Sequence, residues 1–267
     1  MYLRAIHAEP SIRALFDFIK ENPLGILTTA IASSSHPFIQ SSHIPWVLDE
    51  ISEDPDAQIK GRLRGHMARQ NPQSKVLAEA ANANANANSS ISSTGAAAQL
   101  QQDVMVLFTG PHHHYVTPKF YTETKPSTGK VVPTWNYAAA QVYGKATIYY
   151  DAAAPETSDY LSRQIHDLSM LCETSVMGHT GQEERPKPWM VADAPERYIE
   201  VMKKNIIGIE VVIESIGGKF KMSQEMGAGD RQGVVEGFGG LGSDVGDHLA
   251  GLVKERGKMK DDAKQKS

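Results

Sequence analysis

Apolar and polar positions along residues 103–150 predict two long β-strands. Residues 103–108 form a short Val-rich run, which is typical of a strand buried on both faces. Gly110 and Pro111 end that run. From residue 141 every second side chain is apolar or small, which predicts a strand with one face toward a core. The loop between the strands carries His, Tyr, Trp and Asn, so we expect one wall of a β-barrel with a site at its mouth.

Similar patterns predict further strands and helices. The strand segments are residues 24–31, 38–47, 59–67 and 206–216. Gly217 and Gly218 would bend the last strand or turn it into a hairpin. Ser11 is placed to cap a helix over residues 12–19, and a second amphipathic helix spans 161–172. A third begins at Pro195, with inward-facing side chains at Tyr198, Val201 and Met202.

Two segments lack this periodicity. Residues 78–102 consist mainly of Ala, Asn, Ser and Gln, which predicts a disordered surface insertion. Residues 239–267 open with glycines and end in mixed charges, which predicts a flexible charged tail; a docking helix is the alternative. We therefore expect one domain over residues 1–238, followed by the tail.

Composition narrows the functional classes. The formal net charge of -4 gives no electrostatic support for general nucleic-acid binding. The one cysteine, Cys172, excludes an internal disulfide and fits a reducing compartment. The chain begins without an apolar targeting segment, and no run approaches the roughly 20 apolar residues that span a bilayer. We expect a cytoplasmic protein without membrane contact; a nuclear location is also compatible.

The segment 65–73 is the most suggestive of phosphate binding. It takes a predicted strand end through Arg69 and Asn71 to a helix that begins at Pro72. A forked cation beside free helix N–H groups is suited to a phosphate. The alternative is an ordinary strand-to-helix turn, which is a common structure.

Other polar clusters are less specific. His112, His113 and His114 are consecutive, and neighbours in a strand point to opposite faces, so we expect no metal site; ligand hydrogen bonding and an ordinary loop both remain open. Trp46 and Trp135 could stack on a planar ring or belong to the core. The glycine-rich segment 237–242 lacks the strand–turn–helix context of a dinucleotide-binding loop.

Taken together, these segments resemble the PaiB family of FMN-binding negative transcriptional regulators. The matching segments are NPLGILTT, HIP, GHMARQNPQ, FTGPHHHYVTPKFY, VPTWNY followed by VYG, PW at 188–189, and GKFKMSQ followed by DRQGVVEG. They extend from near Met1 to about Gly237. Glu225 stands where the family has Asn, and the tail beyond Gly237 has no counterpart there.

The resemblance implies a mainly β, α+β fold: a six-stranded antiparallel split β-barrel with peripheral helices. It implies a homodimer with FMN sites at the shared interface. By similarity, Arg69, Asn71 and His66 would bind the phosphate, and Ser42, His43 and Pro45 would lie along the ring or ribityl chain. The partner subunit would contribute Thr134, Trp135 and Asn136, with Lys221, Ser223 and Gln224 near the rim.

Several functions are compatible with this resemblance. The leading hypothesis is a flavin-dependent sensor or regulator that acts through a metabolite or a protein partner, because the sequence has no helix-turn-helix signature and no basic face. The alternative is a flavin-dependent oxidoreductase that acts on a small substrate with NAD(P)H. Its catalytic residues are unknown. A haem-binding or haem-degrading protein is the third hypothesis, with an axial histidine from His43, His66 or residues 112–114.

Overall fold

The computed structural model describes residues 1–87 and 97–265. The chain forms two compact units. The smaller unit comprises Met1–Phe18, Phe108–Gln141 and Gly217–Ser267, and the larger comprises Ile19–Leu107 and Val142–Ile216. The segments of the two units interleave along the chain.

Strands and helices alternate irregularly along the described residues. The strands are β1 (Ala8–Glu9), β2 (Leu24–Ala30), β3 (Ile39–Pro45), β4 (Val47–Glu50), β5 (Gly61–Ala68), β6 (Ala97–Thr109), β7 (His114–Val116), β8 (Thr134–Tyr149), β9 (Ile206–Ile213) and β10 (Ser215–Lys221). The helices are α1 (Ile12–Glu21), α2 (Pro72–Ala87), α3 (Thr124–Thr128), α4 (Pro155–Leu171), α5 (Glu196–Lys203), α6 (Ala228–Gly239) and α7 (Asp244–Gln265). None of these described helices is both long enough and apolar enough to cross a membrane.

The larger unit is built on a sheet with the strand order β3–β2–β6–β8–β9–β5–β4. The pairings β2–β3, β2–β6, β4–β5, β5–β9 and β8–β9 are antiparallel. Alternate side chains enter the core, where Leu27, Leu63, Val106, Ile148 and Ile209 are fully buried. The expected antiparallel, mainly β fold with peripheral helices is confirmed. The described sheet contains more than six strands, and its path ends at β3 and β4 without closing.

Gly144 explains how β8 and β9 approach each other. A Cβ atom at this position would lie 1.7 Å from the carbonyl oxygen of Val212. Since real Cβ contacts are never so short, any other residue would push the strands apart. The small residue in the alternating pattern of β8 is therefore required by strand packing.

The smaller unit contains β1, β7, β10 and the C-terminal helices. β10 pairs with β1 and with β8, and β7 pairs with the first residues of β8. Helices α6 and α7 pack on each other, with buried side chains at Val234, Phe238, Leu249 and Val253. The structure thus has a docked helix over 244–265, where the sequence analysis expected a flexible tail and gave a docking helix as the alternative.

The expected insertion at residues 78–102 also differs in extent. Helix α2 continues to Ala87 and β6 begins at Ala97, and residues 88–96 lie outside the described part of the chain. Alanine has the highest helix propensity, so the Ala-rich sequence can extend a helix that Pro72 begins.

Two local predictions were wrong. Tyr198, Val201 and Met202 were expected to face inward on α5, but their side chains are 44–56% exposed. Gly217 and Gly218 were expected to bend or turn the chain, but they lie inside β10, and the chain changes strand at Glu214. A Cβ atom on Gly218 would lie 1.9 Å from the side chain of Leu15, so close packing against α1 accounts for this glycine.

Candidate functional site

The corner between β5 and α2 is organised by Asn71. Its side-chain oxygen accepts a hydrogen bond from the backbone N–H of Gln73 at 2.8 Å, which caps the first turn of α2. Its amide nitrogen donates to the hydroxyl of Ser42 on β3 at 3.0 Å. Because Ser42 accepts this bond, its hydroxyl hydrogen can be donated to a ligand. Asn71 and Ser42, predicted from separate motifs, are therefore brought together.

Arg69 holds the same corner through backbone carbonyls. Its guanidinium donates to the carbonyl oxygens of Tyr150 at 2.7 Å, Ile206 at 3.1 Å and Lys204 at 3.2 Å. A guanidinium has five N–H groups, so these bonds leave two for a further acceptor. The sequence predicted Arg69 as a phosphate ligand; the structure also assigns it a bracing role that links three distant segments.

Two further polar atoms at the start of α2 are buried without a hydrogen-bond partner among the described residues. They are the hydroxyl of Ser74 and the side-chain oxygen of Gln73. The amide nitrogen of Gln73 is fully engaged, by the carbonyls of Leu27 and Gln40 and the hydroxyl of Thr29. Hydroxyl groups, a helix N-terminus and a guanidinium, contributed by residues 42 and 69–74, are the kinds of donor that suit phosphate oxygens.

The motif at residues 41–45 is divided between the two faces of β3. Ser42 lies on the face toward α2, whereas His43 and Pro45 lie on the opposite face, because adjacent strand residues alternate. His43 pairs in register with Ile26 of β2, and Ser41 bonds the hydroxyl of Thr28 at 2.9 Å. His43 therefore does not join Ser42 and Asn71.

His66 is separate from the predicted phosphate ligands as well. It shares a face of β5 with Arg64, which bonds Asp49, Asp167 and Gln164 of the flanking α4 and β4. Burial lowers the pKa of His66, and its Nδ1 is buried without a partner among the described residues. A neutral imidazole is therefore favoured here, which makes His66 a weak phosphate ligand.

A groove of about 540 Å³ opens beside Arg69 in the larger unit. Tyr150, Asp151, Glu79 and Asn82 contribute to its lining. The carboxylates of Asp151 and Glu79 disfavour a second anion along this groove. This groove is therefore less suited to an anion than the start of α2.

In the smaller unit, the side chain of Lys221, a predicted rim residue, bonds the first two residues of β8. Its ammonium group donates to the hydroxyl of Thr134 and, at 3.0 Å, to the carbonyl of Trp135. Burial, with the nearby cations Lys219 and Arg4, lowers the pKa of Lys221, although Glu225 acts in the opposite direction. Trp135 is half exposed and its indole N–H donates to His113 at 3.3 Å. Trp135 is therefore available for stacking.

The remaining predicted residues are buried and bonded to one another. Asn136 and the hydroxyl of Ser223 exchange hydrogen bonds at 3.1 and 3.2 Å. Gln224 accepts from the N–H of Met222 and donates to the carbonyl of Phe220, which holds the turn after β10. Ser223 has φ of 59°, a left-handed conformation that is costly for a residue other than glycine. These contacts make the three residues supports of the turn.

The structure reveals an acid–base pair that the sequence analysis did not predict. His7 is buried, and its Nε2 lies 3.0 Å from the carboxylate of Glu225. The other oxygen of Glu225 lies 3.9 Å from the ammonium of Lys221. Glu225 had been noted only as a departure from the family, and His7 is isolated in sequence, so no local pattern could link them.

Tyr121 is a second group that the sequence did not single out. Burial, reinforced by the carboxylates of Glu225 and Asp230, raises its pKa to about 12. Its hydroxyl is buried without a hydrogen-bond partner among the described residues.

The three consecutive histidines have three different aromatic partners. His112 stacks on His248 with ring centroids 3.9 Å apart, His113 lies beside Trp135, and His114 contacts Phe238 edge-on. Within the described residues no group of three metal-ligating side chains is found. Trp46, the other candidate for ring stacking, is fully buried in the core.

The predicted site residues thus form two groups. Ser42, His43, Pro45, His66, Arg69 and Asn71 belong to the larger unit, and Thr134, Trp135, Asn136, Lys221, Ser223 and Gln224 belong to the smaller unit. In the first group Asn71 contacts Ser42, and in the second Lys221 and Ser223 each contact the start of β8.

Comparison with known proteins identifies the family to which this chain is similar. Residues 1–215 match the family described as "Putative FMN-binding domain". An uncharacterized protein from Aspergillus fumigatus is 59% identical over 266 residues, which cover 98% of this chain and 99% of that protein. "Protease synthase and sporulation protein PAI 2" from Bacillus subtilis is 23% identical over 236 residues, 88% of each chain.

Among solved structures, the conserved hypothetical protein Rv2991 from Mycobacterium tuberculosis covers 85% of this chain and 94% of its own, with 12% identity and a TM-score of 0.44. The match over residues 1–215 covers most of the 267 residues. The resemblance to PaiB and the expectation of FMN as cofactor are therefore confirmed at the level of the family, and the chain belongs to the family of FMN-binding domains.

Proposed function

We propose that this protein is a flavin-dependent sensor or regulator that binds the phosphate of FMN at the corner between β5 and α2. The observation that carries the proposal is the double role of Asn71, which caps α2 and orients the hydroxyl of Ser42. Both groups then face an anion at the helix N-terminus, where the helix dipole favours negative charge.

Arg69 supports the same placement of the phosphate. Three of its N–H groups hold carbonyl oxygens, so the guanidinium is fixed before a ligand arrives. A pre-organised cation loses little side-chain entropy on binding. Its charge therefore contributes to affinity even where the phosphate contacts only one of its remaining N–H groups.

An exposed apolar face on β2 and β3 supports a homodimer. Leu24 on β2 and Ile39 on β3 are each more than half exposed and lie on the same face as His43, at opposite ends of the hairpin. Large apolar side chains exposed on one sheet face favour a protein-interaction surface. A second copy of the chain at this face would bring His43 and Pro45 to the interface, as the resemblance implies.

For the regulatory role, a protein or metabolite partner is better supported than direct DNA reading. The net charge of -4 opposes approach to DNA, and phosphate contacts supply most of the affinity of DNA-binding proteins. Sensing through FMN needs only that occupancy changes a surface that a partner recognises.

The alternative function, a flavin-dependent oxidoreductase, is favoured by Lys221. This partly buried lysine has a lowered pKa and is held between the hydroxyl of Thr134 and the carbonyl of Trp135. A lysine whose pKa is lowered gives up its proton more readily than an exposed one, which suits a role in proton transfer. When bound, FMN supplies the hydride or electron transfer, and the protein supplies orientation and proton management.

The test begins with the visible absorption spectrum of the purified protein and with FMN titration by calorimetry, with riboflavin as the phosphate-free control. We expect a flavin spectrum and tighter binding of FMN than of riboflavin. Arg69→Ala should abolish this preference, while Ala substitutions at His112–His114 should leave it. A Soret band, with loss of colour on histidine substitution, would support the haem hypothesis and overturn ours.

A second experiment separates sensor from enzyme. The FMN-loaded protein is mixed with NADH or NADPH, and flavin bleaching is followed with and without oxygen. A sensor is expected to show slow reduction without turnover. Steady NAD(P)H consumption that is lost in Lys221→Met but retained in Lys219→Met would identify the oxidoreductase.

A further inference from the structure

A cavity of about 460 Å³ lies in the smaller unit, between the segment 5–10 and the C-terminal half of α7. Its volume is within the range of roughly 300–1,000 Å³ that is usual for small-ligand sites. Most of the lining is apolar, with side chains from Ile6, Pro10, Met259 and Ala263. Such a lining favours an organic ligand over water alone.

The polar side of the cavity is built around Arg256. Its guanidinium donates to Glu9 at 2.5 Å and lies over the ring of Phe220, 3.9 Å from the centroid. The Nε atom is buried without a hydrogen-bond partner among the described residues, and Glu255 lies 4.0 Å from it. A buried charged donor without an acceptor is costly, so an acceptor from a ligand would stabilise it.

His7 presents a second polar group at the same cavity. The ring is almost fully buried, and its Nε2 is engaged by Glu225. Its Nδ1 is buried without a hydrogen-bond partner in the described part of the chain. A ligand that carries both a charged acceptor and a small polar group could satisfy Arg256 and His7 together.

The charged side chains that line the cavity determine whether it favours an anionic or a cationic ligand. Among the described lining residues, Arg256 and Lys260 are cationic and Glu9 is the one carboxylate, which Arg256 already engages. The ammonium of Lys260 donates to the carbonyl of Met226 at 3.0 Å, which holds it at the rim. An anion is therefore attracted to this cavity and an organic cation is repelled.

We propose that this cavity binds a small organic monoanion, a carboxylate with an apolar body, whose charged group lies against Arg256. The site depends on α7, which follows the family match that ends at residue 215. It therefore adds a ligand site that is separate from the corner of Asn71 and Ser42. For a sensor, such a site would supply the metabolite signal.

The test is calorimetric titration of the full chain with benzoate, with benzyl alcohol and benzylamine as neutral and cationic ligands of similar shape. Ala263→Phe fills the cavity from an exposed position on α7. Lys254→Phe introduces the same ring at an exposed position of α7 that does not line the cavity. We expect saturable 1:1 binding of benzoate, at least tenfold weaker binding in Ala263→Phe and unchanged binding in Lys254→Phe.

Three results would overturn the proposal. They are the absence of saturable benzoate binding, benzylamine binding as tight as that of benzoate, and unchanged benzoate binding in a folded Ala263→Phe protein. If Ala263→Phe does not fold, Met259→Trp replaces it, because the side chain of Met259 is half exposed at the same cavity. Retention of FMN binding in either variant distinguishes loss of this site from loss of the flavin site.

Discussion

The side-chain amide of Asn71 donates to the hydroxyl of Ser42 at 3.0 Å and so joins the first turn of α2 to β3. The two residues are 29 positions apart and belong to different sequence motifs. The same side chain caps α2 through Gln73. One residue therefore determines both the start of a helix and the orientation of a hydroxyl beside it.

The two roles of Asn71 can be separated with Asn71→Asp. Aspartate caps a helix about as well as asparagine, so the free energy of unfolding should change by less than about 0.5 kcal/mol. The donor to Ser42 is lost and a negative charge is added, so FMN affinity should fall by about tenfold or more. Calorimetric titration measures this change. Riboflavin affinity should change much less; an equal loss for both ligands would contradict a phosphate role.

Arg69→Ala should destabilise the fold as well as weaken FMN binding. Three carbonyl oxygens lose a charged donor, and we expect a loss of about 2 kcal/mol because water replaces part of each bond. Urea denaturation measures the change. The control is Arg62→Ala, since the Arg62 side chain is half exposed and lies as far as 4.0 Å from its ion-pair partner Glu210. If both substitutions lower the free energy of unfolding by the same amount, Arg69 does not stabilise the fold through these carbonyl contacts.

Gly144→Ala should be strongly destabilising. The added methyl would meet the carbonyl of Val212 at 1.7 Å, so β8 and β9 must separate, at a cost of about 3 kcal/mol. Gly251 on α7 is the matched control, since nothing lies within 4 Å of a Cβ there. Gly251→Ala should raise stability by about 0.5–1 kcal/mol through helix propensity. Thermal and urea unfolding of both variants measure the contrast.

The environment of the Glu225 carboxylate predicts that the free energy of unfolding depends on pH. Burial by itself would raise its pKa, but the hydrogen bond from His7 and the charge of Lys221 together lower it. A carboxyl with a lower pKa in the folded state stabilises the protein above its unfolded pKa, about 4.3, and loses that contribution as the pH falls further. The stability difference between wild type and Glu225→Gln should therefore be largest near pH 6–7 and shrink between about pH 5 and 3.

Urea denaturation across this pH range provides the measurement. Glu236→Gln is the control, because Glu236 is exposed on α6 and its carboxylate accepts a hydrogen bond from the neutral side chain of Gln232. Its difference from wild type should stay small at every pH. A constant difference for Glu225→Gln would show that His7 does not hold the carboxylate.

Features with a local cause were predictable from the sequence. The hydroxyl of Ser11 accepts the N–H of Ala14 at 3.2 Å, as its capping position indicated, and Pro72 begins α2. The alternation from residue 141 corresponds to the buried and exposed positions of β8. Such features depend on side chains within one or two turns of each other, which a sequence window contains.

For the C-terminal segment 239–267, amino-acid composition is a poor guide to whether the chain packs as a helix. Its Leu249 and Val253 are buried, although glycines and charges surround them in sequence. Isolated helices of this kind are marginal in water, and tertiary packing of one apolar face stabilises them. The packing partner, α6, was not predicted as a helix, so the sequence favoured the flexible tail and left the docking helix as the alternative.

The sequence by itself determined the family, the order of most strands and helices, and the position of Arg69 and Asn71 at the start of α2. The tertiary structure decided which of the predicted residues share a face: strand register places Ser42 beside Asn71 and turns His43 away. It also joined His7 to Glu225 across 218 positions and Arg69 to carbonyls more than 80 positions away. These contacts depend on long-range chain pairing, which no local pattern of side chains specifies.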